Sequence, residues 1–210
     1  GSIYYTKSTS VFTFINEATG NSVYVNDILV PVIRRSPINL SSQEEIGIEF
    51  STNYTHSKDW RIGGNINFYQ SEIIGNYNRV VYDSKNLIWS ARLNNYLKLF
   101  SSVDWQTRLS YRGPQKNAIS TRKGSVSTNT ALSKDIFGDK MTLTFKINDI
   151  FETQKWRLET LGQTYKNYTE ASWRGGRNFN LSLIYRFNQK KKQGNSRPSY
   201  QDYGGEGFGG

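Results

Sequence analysis

Between Asn178 and Phe187 the chain reads N-F-N-L-S-L-I-Y-R-F, with a large apolar side chain at every second position. Phe179, Leu181, Leu183, Tyr185 and Phe187 take one phase; Asn178, Asn180, Ser182, Ile184 and Arg186 take the other. Successive side chains of a β-strand project to opposite faces, so this alternation predicts a strand with one apolar and one polar surrounding. Taken alone, such a strand suits a soluble sandwich as well as a strand with one side in lipid. The rest of the chain has to decide between them.

The pattern recurs at hairpin intervals. Ile3 to Phe14 alternates weakly and is expected to run into a long loop, Ile15 to Leu40, which holds Pro31, Pro37 and Arg34-Arg35. Within it Val23 to Val30 suggests a short hairpin. Glu45 to Tyr54 alternates cleanly, with Ile46, Ile48, Phe50, Thr52 and Tyr54 in one phase. A turn, Thr55 to Asp59, leads to a third strand, Trp60 to Ser71, and then a loop, Glu72 to Asn86. Ile88 to Leu99 and Trp105 to Arg112 follow, joined by a turn over Phe100 to Asp104. Gly113-Pro114 opens a basic loop to Gly124. Ser125 to Ser133 and Met141 to Asn148 flank a tight turn at Gly138-Asp139. A long polar loop, Phe151 to Gly176, precedes the last strand.

Short and long connections thus alternate along about eight strands. Outer-membrane barrels have this asymmetry, with short periplasmic turns and long extracellular loops. Trp60 and Trp105 each follow an Asp at the exit of a short turn, where an interfacial aromatic girdle would sit. Arg61, Arg92, Arg108, Lys146 and Arg186 all fall on the polar phase of their strands, as a watery interior requires. A sandwich would have to carry them outside. The expected fold is therefore all-β, an antiparallel up-and-down transmembrane β-barrel segment over residues 1–187. Residues 188–210, rich in Lys, Gly, Ser and Tyr, predict a disordered tail, placed in the periplasm by the inward run of the last strand.

Composition narrows the chemistry. No run approaches the roughly 18–20 apolar residues of a membrane helix, but barrel strands escape that test because half of each faces water. Having no Cys, the chain can form neither a disulfide framework nor a thiolate site, and its single His, His56, leaves little room for imidazole chemistry. The formal charge of +10 would suit nucleic acid, yet no recognition helix or RNA-binding signature accompanies it. The chain opens without a signal peptide, so either a leader has been removed or this is the C-terminal part of something longer.

Five pieces, in order and spacing, carry a resemblance: S-P-I-N-L-S-S-Q-E-E-I-G-I-E-F (Ser36–Phe50), W-R-I-G-G-N-I-N-F-Y-Q-S-E-I-I-G (Trp60–Gly75), W-S-A-R-L-N-N-Y-L-K-L (Trp89–Leu99), L-T-F-K-I-N-D-I-F-E-T-Q-K-W (Leu143–Trp156) and R-N-F-N-L-S-L-I-Y-R-F (Arg177–Phe187). Together they resemble the C-terminal barrel region of TonB-dependent receptors of Bacteroidetes type. The resemblance implies about eight strands of a 22-stranded transporter for chelated iron, cobalamin, oligosaccharide or peptide, with plug and TonB-contacting segment outside this sequence. It implies as partners outer-membrane lipid and lipopolysaccharide, the rest of its own barrel, the TonB system, the barrel-assembly machinery and a surface lipoprotein lid. It also makes Phe179, Leu181, Leu183, Tyr185 and Phe187 look like the C-terminal β-signal, although the usual terminal aromatic is here followed by a tail.

Other constellations favour the plainer reading. Glu45 and Glu49 share a phase but stand roughly 13 Å apart along a strand, too far for a retaining carboxylate pair; partners such as Arg61 are expected for them. His56, Asp104 and Ser110 lie on unrelated turns and phases and make no triad. Asn148-Asp149 is expected to order a loop, with a Ca²⁺ site the lesser alternative. Arg34, Arg35, Arg112, Lys116, Arg122 and Lys123 would lie outside, near lipopolysaccharide phosphates, solvated loop charge being the competing account. No cofactor, metal or enzymatic activity is expected. Three further readings stand beside the transporter: a self-contained small barrel with a structural or adhesive role, an outer-membrane enzyme, and a barrel client held during assembly. Gly47 and Gly63 on the polar phase argue against a side-chain-filled barrel of eight strands.

Overall fold

The computed structural model describes residues 1–187 apart from 101, 117–118, 139, 162–165 and 173–174, and only the backbone at 40, 41 and 80. The expected tail, 188–210, lies outside the described residues. Strands in chain order are β1 (Ser2–Val25), β2 (Ile28–Ser57), β3 (Trp60–Ile74), β4 (Asn76–Tyr77), β5 (Val80–Val81), β6 (Ser84–Leu99), β7 (Val103–Arg112), β8 (Gln115–Lys116), β9 (Ser120–Arg122), β10 (Ser125–Ile136), β11 (Met141–Asn148), β12 (Lys155–Leu161), β13 (Lys166–Ser172) and β14 (Asn178–Tyr185). Eight of them form one antiparallel sheet in the order β1-β2-β3-β6-β7-β10-β11-β14. Consecutive long strands are neighbours throughout, the up-and-down order that short-range hairpins produce. The sheet is open, with β1 and β14 at its edges.

Residues directly opposite in an antiparallel ladder share a face, so the register tests the phases assigned to seven of the strands at once. One rung runs Trp60–Leu97–Trp105–Leu132–Phe145–Leu181 across six strands. Another runs Ile3–Ile48–Phe68–Trp89. The apolar phases of all eight strands therefore merge into a single surface. Nothing covers it: Trp89, Leu93, Phe145 and Leu183 are 38%, 48%, 39% and 60% exposed. Among the described residues the buried hydrophobics are Ile15, Ile38 and Ile88 alone, far too few for a water-soluble core. A soluble sandwich is excluded by this arrangement.

The extended hairpin is longer than expected. Ile15 to Leu40 is not a loop; β1 and β2 stay paired up to a two-residue turn at Asn26-Asp27, whose φ values of 49° and 60° are the left-handed pair that type I′ hairpin turns use and that Asn and Asp tolerate. The short hairpin over Val23 to Val30 is the tip of this arm. Three features hid it. Ser10 adopts φ 60° and reverses the alternation, so that Tyr4 faces Gly47 on the polar side, yet odd-numbered Ile15 is buried with Ile38 against Ile73, Tyr77 and Tyr82. A register shift follows between Ala18 and Ser22. Pro31 and Pro37 sit where β2 has outrun β3, which stops pairing at Ser42, so the missing N–H groups interrupt no ladder on that side.

Other boundaries move for the same reason, that pairing outlasts clean alternation. β2 continues to Ser57, β6 starts at Ser84, β7 at Val103, and β10 reaches Ile136. The Glu72–Asn86 loop holds the small β4–β5 hairpin. The last strand ends at Tyr185, after which the Arg186 N–H still donates to the Lys140 carbonyl at 2.8 Å. The glycine argument about barrel size fails. A Cβ on Gly47 would meet Tyr4 Cζ and Tyr69 Cβ at 2.6 Å, and one on Gly63 would meet Asn53 Oδ1 at 2.6 Å. Neighbouring side chains already fill both gaps, so the glycines mark close packing within the sheet and say nothing of spare room inside.

Candidate functional site

The apolar face has two chemically marked limits. At the short-turn end lies the Trp60–Trp105 rung. The Trp60 indole N–H donates to Asn95 Oδ1 at 2.9 Å and that of Trp105 to Thr130 Oγ1 at 2.8 Å. Both bonds are made within the sheet, which an indole at the edge of hydrocarbon needs. At the other end one rung carries only charge: Lys7 opposite Glu44, Glu44 opposite Glu72, Glu72 opposite Lys85. Lys7 Nζ lies 2.7 Å from Glu44 and Lys85 Nζ 3.1 Å from Glu72. Along β3, Trp60 to Glu72 measures about 40 Å at ~3.3 Å per residue. With the tilt of about 40° usual in barrels that length climbs roughly 30 Å, the thickness of a hydrocarbon layer. The charged rung escaped the sequence reading because its four residues fall in strand margins read as loop or weak strand. Stacked rings bind the belt laterally: Trp89 and Tyr111 at 4.2 Å, Phe68 and Trp89 at 5.9 Å, Phe145 and Phe179 at 6.2 Å.

The opposite face is polar. Arg61, Arg92, Arg108 and Lys146 lie on it opposite Tyr96, Ser110, Asn94 and Asn180 respectively, and Arg186 lies on it with its guanidinium at Thr142 and Asp135. Arg61 stacks over the Tyr96 ring at 4.4 Å in place of the carboxylate expected for it. Glu45 accepts from Gln43 Nε2 at 2.8 Å. Arg108 Nε donates to Asn94 Oδ1 at 2.9 Å, and Arg186 Nη2 to Thr142 Oγ1 at 2.7 Å. Tyr4 reaches across β2 to donate to Asn67 Oδ1 at 3.1 Å.

Above the long-loop ends, two connections join. The β7–β10 loop supplies β8 and β9, the β11–β14 loop supplies β12 and β13, and together they form a sheet ordered β13-β12-β9-β8. Lys123 N–H to Arg157 O at 3.0 Å and Leu161 N–H to Ile119 O at 2.7 Å stitch the seam. The stretch expected to be polar loop is thus largely strand, its alternation blurred because β13 is exposed nearly throughout and the buried residue of β12 is the polar Thr160. Asp149, 3% exposed, holds the start of it: one carboxylate oxygen accepts from Thr153 N–H at 3.0 Å and the other from Gln154 N–H at 3.1 Å. Its own N–H donates to Asn129 Oδ1 at 2.9 Å. With its carboxylate spent on the backbone, Asp149 orders the loop.

The six basic residues expected near lipopolysaccharide divide. Arg34 pairs with Glu17 at 3.2 Å and Lys123 with Glu159 at 2.7 Å. Arg35 lies over the Phe14 ring at 4.4 Å, and Lys116 takes part through its backbone, which exchanges hydrogen bonds with the Asn86 amide. Arg112 and Arg122 turn to the polar face. Arg122 donates to Gln115 Oε1 at 2.9 Å; burial and then the adjacent Arg112 hold its guanidinium below the ordinary value. In β14, Phe179, Leu181, Leu183 and Tyr185 stand opposite Ile147, Phe145, Leu143 and Met141, on the free edge, with Phe187 just past the last pair. His56 packs edge-on to Trp60 at 5.0 Å. An open recess of about 340 Å³, lined by Tyr111, Pro114, Gly124, Val126, Thr153 and Arg157, marks the junction of belt and rim sheet.

Comparison with known proteins agrees with this two-faced geometry. The family model described as Outer membrane protein beta-barrel family matches residues 2–185. No curated protein and no solved structure matches the chain.

Proposed function

The chain belongs to the outer membrane protein β-barrel family, and from that premise we propose that it forms the C-terminal part of a TonB-dependent transporter for energised uptake of a nutrient across the outer membrane. An antiparallel sheet of this family puts its apolar face in lipid and its polar face toward water, in the outer membrane. The observation that carries the transport reading is the open sheet: eight strands in strict up-and-down order leave the β1 and β14 edges unpaired, as a segment of a larger wall would. The order of the five resembling segments supports the same conclusion. On this reading Trp60 and Trp105 anchor the periplasmic interface. The strand from Phe179 to Phe187 is the signal that docks edge-on to the assembly machinery, main-chain bonds supplying affinity and alternate side chains fit. Arg34 and Lys116, at the outer rim, meet lipopolysaccharide. The role is passage of solute; no catalysis is assigned.

A self-contained barrel is favoured by one specific feature: β1, which starts opposite Glu49, runs away from the short-turn end and β14 returns to it, so the two edges could pair antiparallel. Refolding residues 1–187 in detergent separates the readings. A compact, heat-modifiable species on gels would favour closure of these eight strands alone. Its absence, together with energy-dependent uptake lost on deletion of β14 from the protein in cells, is the expected result.

A further inference from the structure

We propose that Arg92, Arg112 and Arg122 form an anion-binding stripe on the interior wall, which takes carboxylate or phosphate oxygens of the transported solute. The inference rests on the barrel reading in one respect: the polar face must enclose water for the stripe to be interior.

The register builds the stripe from two strands. Arg92 of β6 stands opposite Ser110 of β7, and Arg112 stands opposite Ser90. Each arginine is thus the other's diagonal neighbour across one ladder, with backbones about 7–8 Å apart. Arg108, opposite Asn94, is the diagonal neighbour of Arg92 on the other side and is steadied by the Asn94 amide. Arg122 continues the line upward, close enough to Arg112 for the two guanidiniums to repel, with the Tyr69 hydroxyl beside them. The line therefore climbs the wall from mid-sheet to the mouth.

Its surroundings supply small neutral donors in place of counter-charge. Ser90, Ser110, Ser125 and Ser127 fill the facing positions on the same rungs. Among the described residues no carboxylate forms an ion pair with Arg92, Arg112 or Arg122, whereas Lys123 and Arg157 of the adjoining loops each have one. The acids of the polar face nearest in register, Glu45 and Glu49, belong to β2, with β3 and β6 between them and Arg112. Like charges aligned without a partner are unfavourable until an anion bridges them, and guanidinium forks match carboxylate and phosphate geometry. Hydroxyls between them can donate to the remaining oxygens.

The test is equilibrium binding, by calorimetry at low ionic strength, of citrate and of inorganic phosphate to the full protein purified from the outer membrane. Arg92→Gln/Arg112→Gln is compared with Arg92→Lys/Arg112→Lys and with Arg34→Gln, each checked for wild-type heat-modifiable migration. We expect citrate binding to weaken by about tenfold or more in the Gln pair, to be largely kept in the Lys pair and in Arg34→Gln, and to fall with added salt. Loss of folding in the Gln pair leaves the Lys pair and the single Arg92→Gln variant to decide by the same comparison. Equal citrate affinity in the Gln variants overturns the proposal, as does an absence of citrate binding to the wild type, which would point to an acidic segment of the protein already lying on the stripe. Competition by purified lipopolysaccharide that depends on Arg92 and Arg112 would place the stripe at lipid headgroups and overturn its interior role. Binding needs no energised step, so failed uptake with intact citrate binding counts against the transport reading alone.

Discussion

Trp60 and Trp105 both pair with Leu97, one from each side, so that two indoles near the starts of β3 and β7 flank a single leucine of β6 at the short-turn end of the sheet. Hairpin spacing in the sequence becomes lateral alignment in the fold. An indole fixed by a hydrogen bond at the lipid boundary resists sliding in or out of the membrane, because moving inward buries its donor's surroundings and moving outward wets its ring.

That alignment sets the first prediction. In reconstituted protein with Trp60 or Trp105 as the sole tryptophan, fluorescence is quenched more by lipids brominated near the headgroup than near the chain terminus. Trp89, several rungs higher on the same face, shows the opposite order or quenching from both depths. Equal quenching of all three by aqueous iodide would contradict the belt.

Polarity of the two faces sets the second. Leu93 lies opposite Gly64 and Leu109 on the apolar face, mid-belt, and Asn94 beside it points to the polar one. Leu93→Arg should cost about 2–4 kcal/mol in folding from urea into bilayers, and Asn94→Asp under about 1 kcal/mol, since the latter adds charge to a wet surface and keeps an acceptor for Arg108. A soluble-style sheet would show no such difference between neighbours.

The third concerns Asp149. Replacing it with Ala strands the N–H groups of Thr153 and Gln154, at a cost of about 1–3 kcal/mol each if they stay buried. The damage should be local: faster proteolysis and faster hydrogen exchange across the β12–β13 hairpin, with the main sheet's protection unchanged. Asp149→Asn keeps one acceptor and falls between.

The fourth is a pH effect in the rim sheet. The hydrogen bond from Lys155, then that from Tyr168, with the nearby Arg157 also contributing, lower the Glu170 carboxyl to about 2. A carboxyl depressed on folding stabilises above its unfolded value of about 4.5 and loses that contribution as pH falls through its folded value. Protection of the β12–β13 amides, corrected for intrinsic exchange, should be flat above about pH 5 and decline between about pH 4.5 and 2. Glu170→Gln should remove the decline.

The strand phases were legible because alternation of period two is a local property, and the register aligned seven of them, from Glu45–Tyr54 to the last strand, without a correction. The rim was not legible for two different physical reasons. At Ser10 a left-handed residue reverses the alternation within one strand, so that a paired arm resembles irregular chain. In β13 nearly every residue meets water, and residues such as Asn167 and Thr169 give no apolar beat, while the buried residue of β12 is the polar Thr160. The site divides likewise. The polar-phase arginines could be assigned to a face from sequence, but the Lys123–Glu159 pair and the Arg92–Arg112 diagonal join segments far apart in the chain, and only the register brings them together.

The seam between β9 and β12 has a consequence for how the long-loop end of the sheet behaves. Two connections that could have waved independently are laminated into one panel, anchored below by both the β7–β10 and the β11–β14 strand ends. A lengthened or shortened segment in either must be matched by the other or tear the panel, so these two loops should vary together. A pull on this plate is transmitted straight into four strands of the wall.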